Sequence, residues 1–205
     1  MERMIATQLK DILEPSRTCL IVWDVQNGLV KSIFNREEFV SNLKKLLTAA
    51  RKANVPIVYT RITPLPPEFQ SDWTIFRNMQ RMHVDDPKKL PRFMASGSPE
   101  AEIYADVAPA NEDIVLAKHA ASIFIGTNFE HLMRNRHIET LVFTGISTEI
   151  GVDSSVRDAG NRGFYPFVAS DCVSSSSKEM HDAALKVLPS VSLVMPSGSI
   201  SSQWA

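Results

Sequence analysis

Three short stretches of the chain end in residues able to move a proton or hold a charge. "LIVWD" ends in Asp24, "DIVLAK" ends in Lys118, and "TLVFTGIST" runs through Gly145 to Ser147 and Thr148. A carboxyl group beside an amine can pass a proton, or keep both groups ionised. A tight Gly turn followed by Ser or Thr at a helix start presents backbone N–H groups that can receive an anion or a developing oxyanion. Gly151 falls within the first turns of that helix, where glycine costs roughly 1 kcal/mol relative to alanine. Two readings of it stay open: close packing of the helix on a sheet, or removal of a side chain from a pocket. Taken singly, Asp24 reads equally as a helix cap and Lys118 as a solvated strand end. Their pairing at the ends of adjacent parallel strands is what favours chemistry.

The elements that must position these residues are legible as alternating patterns. Continuous apolar runs at 18–24, 55–61, 113–118, 140–145, 164–171 and 191–195 predict six short strands. Between most of them lie amphipathic stretches, at 37–54, 128–138, 147–163 and 177–190, that predict helices. In 37–54, Phe39, Leu43, Leu46, Leu47 and Ala50 share one face. Gly163 is placed as the stop of 147–163, and the serines at 174–177 as the cap of the last helix. Pro166 inside the fifth strand predicts an edge position or a bulge. Strand–helix–strand units impose a mostly parallel sheet covered on both faces. The expected fold is a three-layer α/β domain, Rossmann-like, with six strands and residues 1–205 as a single unit. In such sheets ligands sit beyond the carboxyl ends of the strands, where Asp24, Lys118 and 145–148 all fall. Residues 62–112 break the rhythm. They are rich in proline and aromatic residues and read as a lid-like excursion walling the site.

Composition narrows the classes. With 22 basic and 23 acidic residues in 205, there is no charge excess to favour nucleic acid or an anionic membrane as partner. No apolar run reaches the roughly 18 residues of a membrane span, and the N-terminal stretch does not resemble a signal peptide, so a cytoplasmic location is expected. Cys19 and Cys172 are expected as free, buried thiols. His83, His119, His131, His137 and His181 are scattered without ligand spacing, so no metal and no other cofactor is expected. Candidate pocket walls are Gln26, which follows the acid, together with Phe34, Arg61, Trp73, Ile146, Ser147 and Thr148.

"LIVWDVQNGLV", "LAKHAASIFIGTNFEHLMRNRHIETLVFTGIST" and "GISTEIGVDSSVRDAGNRGFYPFVASDCVSS" resemble, in order and spacing, three motifs of the isochorismatase-like hydrolase superfamily, over roughly 16–60 and 113–190. Amidohydrolases of that superfamily use an Asp–Lys–Cys triad, which the resemblance maps to Asp24, Lys118 and Gly151. The nucleophile is thus absent here, as in the isochorismatase branch, and neither Cys19 nor Cys172 matches its position. The resemblance implies a small-molecule hydrolase in which Asp24 is the acid/base, Lys118 its electrostatic partner and water the nucleophile. Its substrate would be a small anionic compound, a vinyl ether or similar, with Gly151 leaving room for it. It also implies a cis peptide at Ile146–Ser147 and assembly as a homo-oligomer. Two alternatives stay open: a non-catalytic descendant that binds a small molecule or a protein, and an amidohydrolase whose cysteine was replaced by Gly151. Ser147-Thr148-Glu149 stands where isochorismatases resemble one another in a Tyr-Ala-His run, which argues against isochorismate itself.

Overall fold

A computed structural model of the chain describes residues 5–205. Six strands form one all-parallel sheet: β1 (Thr18–Trp23), β2 (Ile57–Ile62), β3 (Ile114–Lys118), β4 (Thr140–Ile146), β5 (Tyr165–Ser174) and β6 (Leu193–Met195), in the order β3-β2-β1-β4-β5-β6. Eight α-helices accompany them among the described residues: α1 (Leu9–Ile12), α2 (Asn27–Val30), α3 (Arg36–Lys52), α4 (Asp72–Met82), α5 (Phe129–Asn135), α6 (Asp153–Asn161), α7 (Lys178–Val187) and α8 (Ser197–Ser201). The three-layer α/β expectation is met. The sheet reverses its winding between β1 and β4, the place where an open parallel sheet leaves a crevice.

Strand alternation sorts the core into two layers. Leu20 and Val22 of β1 face α3 and α8, packing with Phe39, Leu43, Leu46 and Leu47. Cys19, Ile21 and Trp23 face the opposite layer, with Phe129 and Met133 of α5 and Val156 and Ala159 of α6. Continuous burial on both faces explains why β1 and β4 carry no charged residue. Both cysteines are buried and unpaired, and burial pushes both thiols well above their ordinary range.

Two expectations need correction. Pro166 is not on an edge strand, because β5 lies between β4 and β6. It is tolerated because β6 pairing begins only at Phe167, and a register shift follows between Phe143 and Gly145 of β4. The helix foreseen at 147–163 divides into a π-helical turn, Thr148–Val152, and α6; Gly163, at φ 79°, closes the latter region. The excursion at 62–112 holds α4, started by the Ser71 hydroxyl accepting from the Thr74 N–H and stopped by His83 at φ 52°. α7 has its Ser cap as expected, Ser177 accepting from the Met180 N–H.

Candidate active site

The site is assembled at the carboxyl ends of β1, β2 and β3. Asp24 follows directly on β1 and takes φ 48°, a left-handed turn that Asp tolerates better than most residues. Lys118 closes β3. These strands are not neighbours, contrary to the adjacency expected from the sequence. β2 lies between them, and Lys118 spans its tip to reach the acid. The long lysine chain and the short Thr60 on β2 make this reach possible. Lys118 Nζ stands 2.6 Å from Asp24 Oδ2, with Asp24 0% and Lys118 1% exposed.

Thr60 completes the acid's surroundings and was not foreseen, since attention to strand ends singled out Arg61 beside it. The Thr60 hydroxyl donates to Asp24 Oδ1 at 2.5 Å and accepts from the Asp24 N–H at 3.0 Å. The ammonium of Lys118 has three protons and meets three acceptors. These are Asp24 Oδ2, the Ala120 carbonyl at 3.2 Å, and the face of the Trp23 indole, whose centroid lies 3.5 Å away. Burial pushes the Asp24 carboxyl up and the Lys118 amine down, while their mutual attraction works against both shifts.

Trp23 is the second unforeseen member. It lies on the β1 face that looks at the start of α6, and its ring fills the space above Gly151. A Cβ on Gly151 would stand 1.7 Å from Trp23 Cη2 and 2.0 Å from Cζ2. The expectation that Gly151 leaves room for substrate is therefore corrected: that volume is occupied by the indole. The ring is fixed at its other end by Ser155, whose hydroxyl accepts from Trp23 Nε1–H (3.2 Å) and from the Ile123 N–H (3.1 Å) and donates to the Gly151 carbonyl (2.7 Å). The signal was present in the sequence as period-two alternation, which puts Trp23 on the face of Cys19 and Ile21, toward the glycine.

The peptide Ile146–Ser147 is cis. The N–H groups expected to face a ligand there are partly spent: those of Ile150, Gly151 and Val152 all turn back to the Ser147 carbonyl, at 3.4, 3.2 and 3.2 Å. Ile146 is buried at the end of β4 and Ser147 is half-buried. Thr148 is buried and belongs to a separate polar group. Its hydroxyl donates to the Ser174 carbonyl at 3.1 Å and so accepts from His181 Nδ1 at 2.8 Å, and Phe34 meets the His181 ring edge-on at 5.1 Å. Burial, the largest influence, pushes the imidazole below its ordinary value.

The remaining candidates are placed as follows. Gln26 is buried and its amide is engaged within the chain. Its amide donates to the carbonyls of Ile62 and Ala101 and accepts from the Ile62 N–H, tying the end of β2 to the returning limb of the excursion. Arg61 pairs with Glu102 at 3.5 Å on the surface. Trp73 stands 66% exposed on α4 beside Phe76, away from any buried wall. Among the described residues no group of three or more His, Cys, Asp or Glu side chains is placed to hold a metal, and no helix is long and apolar enough to cross a membrane.

The comparisons with known proteins agree with this architecture. The pattern of the isochorismatase domain matches residues 18–197. The chain is 28% identical over 190 residues to ureidoacrylate amidohydrolase RutB of Methylobacterium radiotolerans, covering 84% of this chain and 73% of that one. It is 30% identical over 179 residues to the enzyme of the same name from Rhizobium rhizogenes, covering 78% and 71%. A cysteine hydrolase from Pseudomonas syringae pv. phaseolicola superposes with a TM-score of 0.81 at 20% identity over 100% of this chain and 98% of that one, a likeness of fold. With the domain pattern spanning every strand of the sheet, the chain belongs to the isochorismatase family of hydrolases.

Proposed function

We propose that this hydrolase works without a covalent nucleophile, on a small anionic compound with a vinyl ether or similarly activated bond, using Asp24 as acid/base and water as the attacking group. The observation that carries the reading is the Asp24–Lys118 contact, sealed from solvent while position 151 is filled by a ring. Burial pushes the Asp24 carboxyl up, toward the protonated form a donor needs, and the neighbouring Lys118 ammonium pulls it back toward the carboxylate it becomes. In the proposed sequence, Asp24 passes its proton to the methylene carbon of the vinyl ether and becomes a carboxylate, leaving an oxocarbenium ion. Water adds to the cationic carbon and returns a proton to Asp24. The resulting hemiketal collapses to a ketone and an alcohol, so substrate and one water account for all atoms. Lys118 steadies the carboxylate formed in the first step.

Two of the relatives are named for amidohydrolysis of ureidoacrylate, and an amidohydrolase whose cysteine became Gly151 is the natural rival. Trp23 argues against it, because a cysteine side chain at 151 would begin inside the indole. A non-catalytic binding role is favoured by one observation, the near-complete burial of both Asp24 and Lys118. Assembly as a homo-oligomer fits the exposed Phe69, Trp73 and Phe76 in and around α4. A panel of small carboxylated vinyl ethers tests the reading. Turnover by the wild-type chain that disappears in Asp24→Asn supports it. Undiminished turnover in that variant refutes the acid role, and absence of turnover with thermal stabilisation by the same compounds favours binding alone.

A further inference from the structure

The buried indole of Trp23 meets the rest of the site on three sides. Its six-membered ring lies where any side chain at 151 would begin, its N–H is held by Ser155, and its face carries the Lys118 ammonium. Each contact constrains a different residue. Gly151 can carry no Cβ while the ring is there. Ser155 has all its bonding capacity used by Trp23, Ile123 and Gly151. Lys118 has its third N–H directed at a π face rather than toward open space.

We propose that Trp23 is the specificity-determining residue of this site: it closes position 151 to every side chain, so excluding a nucleophile there, and positions the Lys118 ammonium against Asp24. On this view the tryptophan and the glycine are one coupled choice, and the site cannot regain a nucleophile by changing 151 alone. The consequence for reactivity rests on the proposed water-based reaction, but the geometry can be tested without any substrate. A substrate that reaches Asp24 meets an aromatic wall and an ammonium already oriented, so proton transfer followed by water attack is the route left open.

The test is a cycle of four proteins: wild type, Gly151→Ala, Trp23→Leu, and the double variant. The expected result is that Gly151→Ala in the wild-type background lowers Tm by about 5–10 °C or prevents folding, because overpacking a core against an immobile ring is costly. In the Trp23→Leu background the same substitution leaves Tm unchanged or raises it by a few degrees, as alanine replaces a helical glycine. An equal fall or equal loss of folding in both backgrounds, or a Gly151→Ala protein as stable as the wild type, overturns the coupling. The positioning of Lys118 is read separately by NMR of lysine labelled at Cε. The ring current of an indole face 3.5 Å from Nζ displaces the Lys118 signal upfield in the wild type, and Trp23→Leu returns it to the ordinary lysine position. A wild-type signal already at the ordinary position overturns that half. Failure of either measurement is distinct from failure of the vinyl ether assay, which bears on the reaction and not on the ring.

Discussion

Replacing Lys118 by methionine keeps the length and the apolar stem of the side chain and deletes only its charge. In the wild type the ammonium and the carboxylate lie 2.6 Å apart with almost no solvent contact. Removing one partner leaves Asp24 two choices: remain an ion without a counter-charge, at several kcal/mol, or take up a proton. At pH 7 protonation is about three units above the ordinary carboxylate value of ~3.9, and at 1.36 kcal/mol per unit this costs about 4 kcal/mol relative to the unfolded chain. Protonation is the cheaper choice and sets the ceiling. The sign follows directly. In the variant the folded pKa of Asp24 is raised above its unfolded value, so its contribution is intact below ~3.9 and is lost as pH rises toward the folded value. For a chain of this size the difference in Tm from wild type is then roughly 10–15 °C at pH 7 and only about 2–3 °C at pH 4.5. Scanning calorimetry of both proteins at the two pH values measures it. The double variant Asp24→Asn/Lys118→Met, with no ionisable group left, should lose that pH dependence and recover most of the stability at pH 7. A Lys118→Met deficit equal at both pH values, or a double variant no better than the single one, would refute the idea that an isolated carboxyl is what destabilises the protein.

The remaining predictions follow from other contacts. His181 is held below its ordinary pKa by burial, so the stability tied to its neutral form is intact above about 6.5 and lost as pH falls through the lowered value; Tm should decline between pH 7.5 and 5, and His181→Gln should remove that part of the decline. Ser155→Ala strands the Trp23 N–H, the Ile123 N–H and the Gly151 carbonyl in the interior, and urea titration should show a loss of about 2–4 kcal/mol. If α4 joins copies of the chain, Trp73→Glu/Phe76→Glu should reduce the mass seen by light scattering with little change in the far-UV spectrum; a wild-type chain already monomeric at micromolar concentration contradicts the assembly.

Much of the fold was legible because its signals are local. The β1 run is buried throughout and the β3 run, though largely exposed before Lys118, is apolar as well; each meets a charged residue at its carboxyl end, so Asp24 and Lys118 marked the sheet's carboxyl edge. What was not legible depends on strand order and on pairs distant in sequence. Nothing local says that β2 separates β1 from β3, and so the role of Thr60 between acid and amine was hidden. Gln26 looked like a pocket residue because it follows the acid, yet its partners lie at Ile62 and Ala101, which no periodicity connects to it. The prolines of 62–112 concealed α4, although Ser71 and the apolar residues after it carry an ordinary helix start.

The vacancy inferred at 151 and the ring that fills it illustrate a general difference between reading a missing group and reading its surroundings. A glycine in place of a nucleophile suggests space, and space suggests substrate. The volume around a glycine, though, is set by whatever is long enough to enter it, and here the largest side chain of β1 does so from the adjacent layer. The same ring also satisfies the ammonium, which now has every proton engaged. The anionic substrate of the proposed reaction would therefore have to displace one of three acceptors to bind Lys118. The contact with Asp24 is short and charge-assisted, and the ring cannot move away without breaking its bond to Ser155. The Ala120 carbonyl, neutral and at 3.2 Å, is the acceptor given up at least cost. On the proposed reading, substrate binding would be coupled to the 118–122 segment through this one hydrogen bond, with the acid, the amine and the indole as the fixed part of the site.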